Sequence, residues 1–271
     1  MTVRWSRVFK AAGEAAMSVT AIVLTRDEER HIVPCLQTLA WAGELIVVDS
    51  GSQDRTVALA RQAGARIVCR VFDNWAQQRQ FALGLARQPW VFFVDADERV
   101  TPELAAEVQA VTARAEGEIA GYWVPRRNLI LGHWMRATGW YPDYQLRLMR
   151  PDRSEYDLAR PVHELVRLHG PAAYLQGHLL HYTGDDLRRF LRKQEQYARY
   201  TAEQMFCAGT RPKLRNYVLQ PWRELWRRMW TYRGYRDGLH GLVLSLLMAY
   251  YTWRTYVTLG RRWQEHGRSA R

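Results

Sequence analysis

Two aspartates at the end of an apolar run have the spacing of a divalent-metal site. Asp95 and Asp97 follow the run 90–94, and Glu98 comes next. Both aspartates reach one cation if the backbone leaves the regular pleat, and Mg²⁺ or Mn²⁺ prefers such oxygen ligands. A metal there would neutralise charge on a diphosphate leaving group. The alternative interpretation is that this cluster only caps a helix or solvates a turn.

Polar clusters also follow two earlier apolar runs. Residues 25–28 come after the first run, and residues 49–52 come after the second. A carboxylate such as Asp49 accepts hydrogen bonds from a ribose or a base, and Gly51 lets the backbone approach a ligand closely. A turn followed by a helix N-cap explains the same residues, and Asp54 has the position of that N-cap.

The elements that must position these clusters alternate along the chain. Apolar runs predict strands at residues 19–24, 45–48, 66–71 and 90–94, each followed by a segment with helical spacing. This order predicts the α/β class, with an open, mostly parallel sheet and helices on both faces. Ligands bind beyond the carboxyl ends of such strands, so the three clusters are expected at one rim. Further along, the pattern predicts a helix at 102–114, a strand at 121–127 and a long helix at 185–206.

Composition excludes several classes. The 271 residues contain neither Gly-x-Gly-x-x-Gly nor Gly-x-x-x-x-Gly-Lys-Ser/Thr, which disfavours dinucleotide dehydrogenases and P-loop enzymes. Three scattered cysteines give no disulfide framework, so a reducing, cytoplasmic compartment is expected. Residues 1–17 lack the apolar stretch of a signal peptide and are expected to form an amphipathic or disordered lead. The predicted domains are this lead, a catalytic domain over 18–210 and a basic helical tail over 211–271.

The tail carries most of the net charge of +12, with thirteen Lys and Arg against three acidic residues. Trp222, Trp226 and Trp230 recur at helical spacing among arginines, and residues 241–253 carry no charge. That run is shorter than the roughly twenty residues that span a bilayer, so an in-plane or shallow re-entrant membrane helix is predicted. A dimer interface, a core helix and a nucleic-acid surface are the alternatives.

Three segments resemble successive signatures of family 2 glycosyltransferases with a GT-A fold: residues 24–29, 47–56 and 93–99. Residues 139–148 and 161–164 resemble the branch that includes lipopolysaccharide core β-glucosyltransferases. Together these motifs extend the resemblance over most of residues 18–260.

The resemblance implies an inverting, metal-assisted hexosyl transfer from a nucleoside-diphosphate sugar, with UDP as the expected nucleotide and Mg²⁺ or Mn²⁺ as the cofactor. It places around the nucleoside Thr25, Glu28, Asp49 and Asp54. Asp95 is expected near the ribose or the metal, and Asp97 on the metal. Arg79 is a candidate diphosphate contact, with an exposed helix residue as the alternative, although Gln80 stands where relatives often carry Asn.

The transfer also needs a base for the acceptor hydroxyl, and a carboxylate suits that role. Glu164, in the motif 161–164, is the first candidate, with a structural His163–Glu164 pair as the alternative. Asp143 is the second candidate base. His181 is expected to complete the metal shell, to contact diphosphate or to be a buried structural histidine.

The expected acceptor is lipid-linked or of the lipopolysaccharide core type, and the expected location is peripheral, on the inner face of the cytoplasmic membrane. No nucleic-acid partner is expected, and a homodimer is compatible with the sequence. A Mg²⁺-dependent nucleotidyltransferase and a non-catalytic membrane- or nucleic-acid-binding module are the alternative functions.

Overall fold

The computed structural model of the protein describes residues 18–114, 118–158, 166–183 and 187–269. They form two compact units. Unit 1 comprises the chain up to Arg126 together with Asp143–His181, and unit 2 comprises Arg127–Pro142 together with Tyr182–Arg271. The predicted boundary between residues 210 and 211 falls within unit 2, and the predicted lead, 1–17, lies outside the described residues.

The strands, in chain order, are β1 (Val19–Thr25), β2 (Glu44–Asp49), β3 (Arg66–Cys69), β4 (Trp90–Asp95), β5 (Glu98–Val100), β6 (Gly121–Ile130), β7 (His133–Trp134), β8 (Asp143–Met149), β9 (Ser154–Tyr156), β10 (Val166–Leu168), β11 (Ala172–Tyr174) and β12 (Leu179–Tyr182). The α-helices are α1 (Ile32–Gln37), α2 (Thr56–Gln62), α3 (Trp75–Leu83), α4 (Pro102–Ala113), α5 (Leu187–Cys207), α6 (Asn216–Trp226) and α7 (Gly238–Ser269).

A parallel block of four strands forms one side of the sheet in unit 1. The strand order is β3-β2-β1-β4-β8-β6-β12-β5, and the first four strands pair in parallel. All seven residues of β1 are buried, as expected for a strand with neighbours on both sides and covered faces. The carboxyl ends of β1, β2 and β4 therefore meet at one edge, and the predicted α/β class with a mostly parallel sheet is confirmed.

Alternating side chains of the central strands pack into two separate cores. On one face, Val23 and Phe92 join residues of α1, α2 and α4. On the other face, Ile22 and Phe93 join residues of α3 and Tyr156 of β9. The period of two in a strand explains this division, because successive side chains point to opposite faces. The predicted helices on both faces are confirmed.

The local structure corrects one predicted detail. Helix α2 has Arg55, not Asp54, at its N-cap position. The Asp54 carboxylate still accepts from the Thr56 backbone N–H at 2.9 Å, and it also accepts from the Glu29 N–H at 3.0 Å, so it belongs to the loop before the helix. Helix α3 ends at Leu83, and Gly84 is its C-cap residue.

A β-bulge interrupts the pairing of β6 with β8. Tyr122 pairs with Leu148, and the next residue, Trp123, pairs with Leu146, so Arg147 is an extra residue on its strand. Bulges of this kind redirect a side chain and are common beside active sites.

Unit 2 is built on three helices. Its core joins Ile130 and Met135 to Phe190 of α5 and to Leu244 and Met248 of α7. Two ion pairs, Glu195–Arg254 at 2.6 Å and Glu203–Arg262 at 3.0 Å, connect α5 with α7. Among the described helices, none is both long enough and apolar enough to cross a membrane.

Candidate active site

The loops that follow β1 and β2 are hydrogen-bonded to each other. The Asp27 carboxylate accepts from the Gln53 N–H at 2.7 Å, and the Ser52 hydroxyl accepts from the Asp27 N–H at 2.9 Å. The backbone N–H of Glu28 donates to the Thr56 hydroxyl at 2.8 Å. These bonds hold the two predicted nucleoside-binding segments side by side at the edge of the sheet.

Asp49 shapes the second of these loops from within. It is buried, and its Oδ2 accepts from the backbone N–H groups of Gly51 and Ser52 at 2.9 Å each. Its Oδ1 accepts from the Ser52 hydroxyl at 2.5 Å. Gly51 has φ of 85°, a conformation that favours glycine. Residues 49–52 therefore form the turn that was the alternative interpretation of this motif. The contact of Asp49 with a nucleoside stays a prediction.

Thr25, at the end of β1, has a buried hydroxyl that lacks a hydrogen-bond partner within the described residues. Buried polar groups are almost always paired, so an unpaired one in a loop-lined edge needs an explanation. A bound ligand that donates or accepts there would satisfy it, which is consistent with the predicted contact to a nucleoside.

Asp95 lies between two arginines. Its Oδ1 accepts from Arg79 at 3.1 Å and its Oδ2 accepts from Arg147 at 2.5 Å. Burial by itself raises the pKa of the Asp95 carboxyl, but the charges of Arg147 and Arg79 outweigh it and hold that pKa well below its usual range. Asp95 is thus an anion whose position is fixed by the protein.

Arg79 is buried in the structure, so the alternative of an exposed helix residue is wrong. Its neighbour Gln80 accepts from the backbone N–H of Tyr156 at 2.8 Å and joins α3 to β9. Gln80, at the position where relatives often carry Asn, therefore has a structural role in this chain, because its side chain hydrogen-bonds to the backbone of β9.

Glu98 is the most deeply buried acid of the site, with no exposed side-chain surface. It accepts from Arg147 at 2.7 Å, from Arg126 at 3.2 Å and from the Asp95 backbone N–H at 2.9 Å. The bulge on β8 supplies the first of these partners. Arg147 consequently bridges the two carboxylates and is 4% exposed at its side chain.

Asp143, the second candidate base, lies at the start of β8. Arg126 donates to its Oδ2 from Nε at 2.9 Å, and Gln145 donates to its Oδ1 at 2.7 Å. Both oxygens are therefore hydrogen-bonded, and Arg126 also forms an ion pair with this carboxylate at 2.7 Å. Glu164, the first candidate base, lies outside the described residues.

Asp97 is beside His181. The Asp97 Oδ2 is 3.5 Å from the His181 Nε2, because β12 pairs with β5 and places His181 opposite Glu98. Across residues 18–114, 118–158, 166–183 and 187–269, no three His, Cys, Asp or Glu side chains are close enough to hold one metal ion. The pair still fits a cation such as Mn²⁺ or Mg²⁺, which binds through few protein groups when substrate phosphates complete its shell.

The site therefore contains two groups of predicted residues. Asp95, Arg79 and Asp143 belong to one network of charges. The residues of the β1 and β2 loops form a second group, linked by backbone and side-chain hydrogen bonds: Thr25 (through its backbone carbonyl), Glu28, Asp49 and Asp54. Sequence reasoning missed Arg126 and Arg147. Their position within apolar strands was a signal, because a buried arginine needs an anionic partner. The sequence did not show which carboxylate that partner is.

An α/β sheet with acidic and basic side chains gathered at the carboxyl ends of its parallel strands is typical of an enzyme that binds a nucleotide. Residues 20–183 match the family model described as Glycosyl transferase family 2. The chain belongs to this family and is a glycosyltransferase, so the resemblance found in its motifs is confirmed.

A relative of similar length agrees with this assignment. The chain is 30% identical over 261 residues to "Lipopolysaccharide core biosynthesis glycosyltransferase LpsC" of Rhizobium meliloti (strain 1021), which covers 94% of this chain and 95% of that protein. Among solved structures, S. aureus TarS matches with a TM-score of 0.44 and 15% identity over 92% of each chain. Glucosyl-3-phosphoglycerate synthase of Mycobacterium tuberculosis, in complex with Mn²⁺, UDP and phosphoglyceric acid, matches with a TM-score of 0.37 and 21% identity over 47% of this chain and 49% of that one.

Proposed function

We propose that the protein transfers a hexose, with inversion, from a nucleoside-diphosphate sugar to a lipid-linked or lipopolysaccharide-core-type acceptor. UDP is the proposed nucleotide. The name of the Rhizobium relative supports the acceptor class. The observation that carries the proposal is the joint position of Asp97 and His181 beside the charge network of Asp95, at the edge where the β1 and β2 loops meet.

In this proposal Asp97 and His181 hold the divalent cation. When bound, the cation neutralises charge on the departing diphosphate. The nucleoside occupies the β1 and β2 loops, where the unpaired Thr25 hydroxyl gains a partner. Arg79 and Arg147 hold the Asp95 carboxylate in place. In this proposal Asp95 either accepts a hydrogen bond from the ribose or coordinates the metal as a further ligand.

A carboxylate removes the proton of the acceptor hydroxyl as the hydroxyl attacks the anomeric carbon. Asp143 is a poor choice, because both of its carboxylate oxygens already accept hydrogen bonds, from Arg126 and from Gln145. This favours Glu164 as the base, in keeping with the motif that contains it.

The proposed location is the inner face of the cytoplasmic membrane, where a lipid-linked acceptor is within reach. Unit 2 supports it with exposed tryptophans beside arginines, a composition common in membrane-surface segments. A second copy of the chain on the same surface is the competing partner.

The proposal is tested by purified protein incubated with UDP-sugars, an acceptor preparation and Mn²⁺ or Mg²⁺. Release of nucleoside diphosphate supports it, whereas release of pyrophosphate identifies a nucleotidyltransferase. Asp97→Asn is expected to abolish turnover and metal-dependent donor binding. Asp152→Asn is the matched control, because this exposed aspartate lies in a short turn, and it keeps both activities.

A thermal-shift screen gives an independent readout. A donor at a hundred times its dissociation constant adds about 2.7 kcal/mol to the free energy of unfolding. Absence of any shift with nucleotide sugars and metal, or full activity of Asp97→Asn, contradicts the proposal.

A further inference from the structure

One surface of unit 2 exposes large apolar side chains beside arginines. It is formed by α6 and the π-helical turn Arg227–Thr231 that continues it. Trp222, Trp226 and Trp230 are 59%, 50% and 56% exposed. The exposed aliphatic residues of α6 and of the turn before it are Leu214, Val218 and Leu219. We call this set, with Arg215 and Arg223, the aromatic–arginine face.

The face has an excess of positive charge. Residues 211–256 contain nine Lys and Arg and two acids, Glu224 and Asp237. Glu224 is paired with Arg227 and Arg228. Asp237 is buried and accepts from the backbone N–H groups of Arg136 and Ala137. Neither acid is available to the remaining cations.

Six of those cations have no carboxylate within ion-pair distance among the residues that the structure describes: Arg211, Lys213, Arg215, Arg223, Arg233 and Arg236. In contrast, Arg254 and Arg262 of α7 are paired with acids of α5. The unpaired charge is concentrated around the exposed tryptophans, so the face is complementary to an anionic partner.

A groove of about 490 Å³ lies within the face. Its walls include Trp222, Arg223, Glu224, Trp226 and Arg227, and the Glu224 carboxylate is paired with Arg227 and Arg228. The rings of Trp226 and Trp230 are stacked with centroids 4.6 Å apart and planes 8° from parallel. Flat aromatic walls with an unpaired guanidinium suit a group that is apolar along its length and carries a phosphate at its end.

We propose that the aromatic–arginine face docks on a bilayer containing anionic phospholipid, with α6 in the plane of the membrane. The tryptophans lie at the depth of the headgroups, and Arg215 and Arg223 contact lipid phosphates. The docking proposal rests on the membrane location proposed above, and it specifies the contacting residues and the charge of the lipid. Docking does not depend on the transfer chemistry.

Two other occupants fit less well. A second copy related by two-fold symmetry would bring the same unpaired arginines together, which costs free energy. A single-stranded nucleic acid would stack on the tryptophans, but it gives no apolar contact to Leu214, Val218 or Leu219. In a phospholipid bilayer, the acyl chains contact the apolar side chains of the face and the phosphates contact its arginines.

The test is co-sedimentation of the full chain with vesicles of phosphatidylcholine alone or mixed with phosphatidylglycerol. Binding is expected to the mixed vesicles and to weaken as salt is raised. Each arginine near an anionic surface strengthens binding about fivefold, so Arg215→Gln/Arg223→Gln is expected to bind about 25-fold more weakly. Trp222→Ser/Trp226→Ser is also expected to lose binding, because it removes the apolar anchor.

The matched control is Arg61→Gln/Arg87→Gln, which removes the same charge from exposed residues of unit 1. This pair is expected to bind vesicles like the wild type. Equal loss in both pairs, binding only to oligonucleotides, or a dimer that Arg215→Gln/Arg223→Gln dissociates would overturn the proposal. Donor binding measured by calorimetry on the same variants separates a failure of docking from a failure of the proposed enzyme activity.

Discussion

Replacing Arg147 with Met is expected to remove a large part of the stability of unit 1. Arg147 donates to Asp95 at 2.5 Å and to Glu98 at 2.7 Å, and its own side chain is 4% exposed. Met has a similar length and keeps the volume filled, so the main change is the loss of one positive charge. The network of three arginines and three carboxylates then has an excess of negative charge: Arg79, Arg126 and Arg147 against Asp95, Glu98 and Asp143.

The size of the effect follows from burial. Two unit charges about 4 Å apart interact by about 4 kcal/mol at an effective dielectric constant near 20. Arg147 makes two such contacts, and much of their energy offsets the cost of removing the ions from water. Deleting one partner of a buried ion pair typically costs about 3–5 kcal/mol, because the other charge stays buried. We expect Arg147→Met to lose this amount out of a total of about 5–15 kcal/mol.

Urea denaturation measures the loss as a lower midpoint with an unchanged slope. The effect should depend on pH. Since the folded-state pKa of Asp95 is lowered, its contribution to stability is present above the unfolded pKa of about 3.9 and is lost as pH falls towards the folded value. The difference between wild type and Arg147→Met should therefore be largest near neutral pH and should narrow below about pH 4.

A double variant provides the control. Arg147→Met/Glu98→Gln restores the charge balance, so it is expected to be less destabilised than the sum of the two single variants, with a coupling of at least about 1 kcal/mol. A loss below about 1 kcal/mol for Arg147→Met, or additive single effects, refutes the inference that Arg147 neutralises this pair of carboxylates.

Three further predictions concern single side chains. Thr25→Val is expected to weaken donor binding about two- to tenfold without lowering the melting temperature, because the buried hydroxyl has no protein partner among the described residues; calorimetric titration and thermal unfolding measure the two effects, and a drop in melting temperature would contradict it. Glu164→Gln is expected to lower kcat far more than Asp143→Asn does; equal effects in steady-state kinetics would argue against Glu164 as the base. Gly177→Ala is expected to destabilise by about 1–3 kcal/mol, because the added Cβ would lie 2.4 Å from the Leu104 Cα, whereas Gly84→Ala, with its nearest neighbour at 3.5 Å, should be tolerated sterically; thermal melts compare the two.

Much of unit 1 was predictable from local patterns. The strands at 19–24, 45–48 and 90–94 are continuous apolar runs, because strands covered on both faces need apolar residues at every position. The polar residues that follow them meet at one edge because parallel strands end together. The resemblance to the family then predicted which residues bind the donor. The match to the family model confirmed the family, but it did not test the roles of these residues.

Unit 2 was harder to foresee. The uncharged run 241–253 suggested a short membrane segment. In the structure, one face of α7 is buried in the core of unit 2 and another face is exposed. Leu244 and Met248 are in the core, while Val243 and Leu246 are exposed. A run without charges carries no periodic signal, so its buried and exposed faces become visible only when the packing partner, here α5, is known.

Arg147 shows why the charge network itself was not predicted. In a regular pairing of β6 with β8, each residue of one strand faces one residue of the other, and alternation alone decides which face a side chain occupies. The bulge adds a residue to β8 and so breaks that alternation at Arg147. Its partners, Asp95 and Glu98, are 52 and 49 residues away along the chain. The carboxylates could be recognised as candidate ligands from their spacing, but the arginine that pairs with both of them depends on a long-range register that local sequence does not encode.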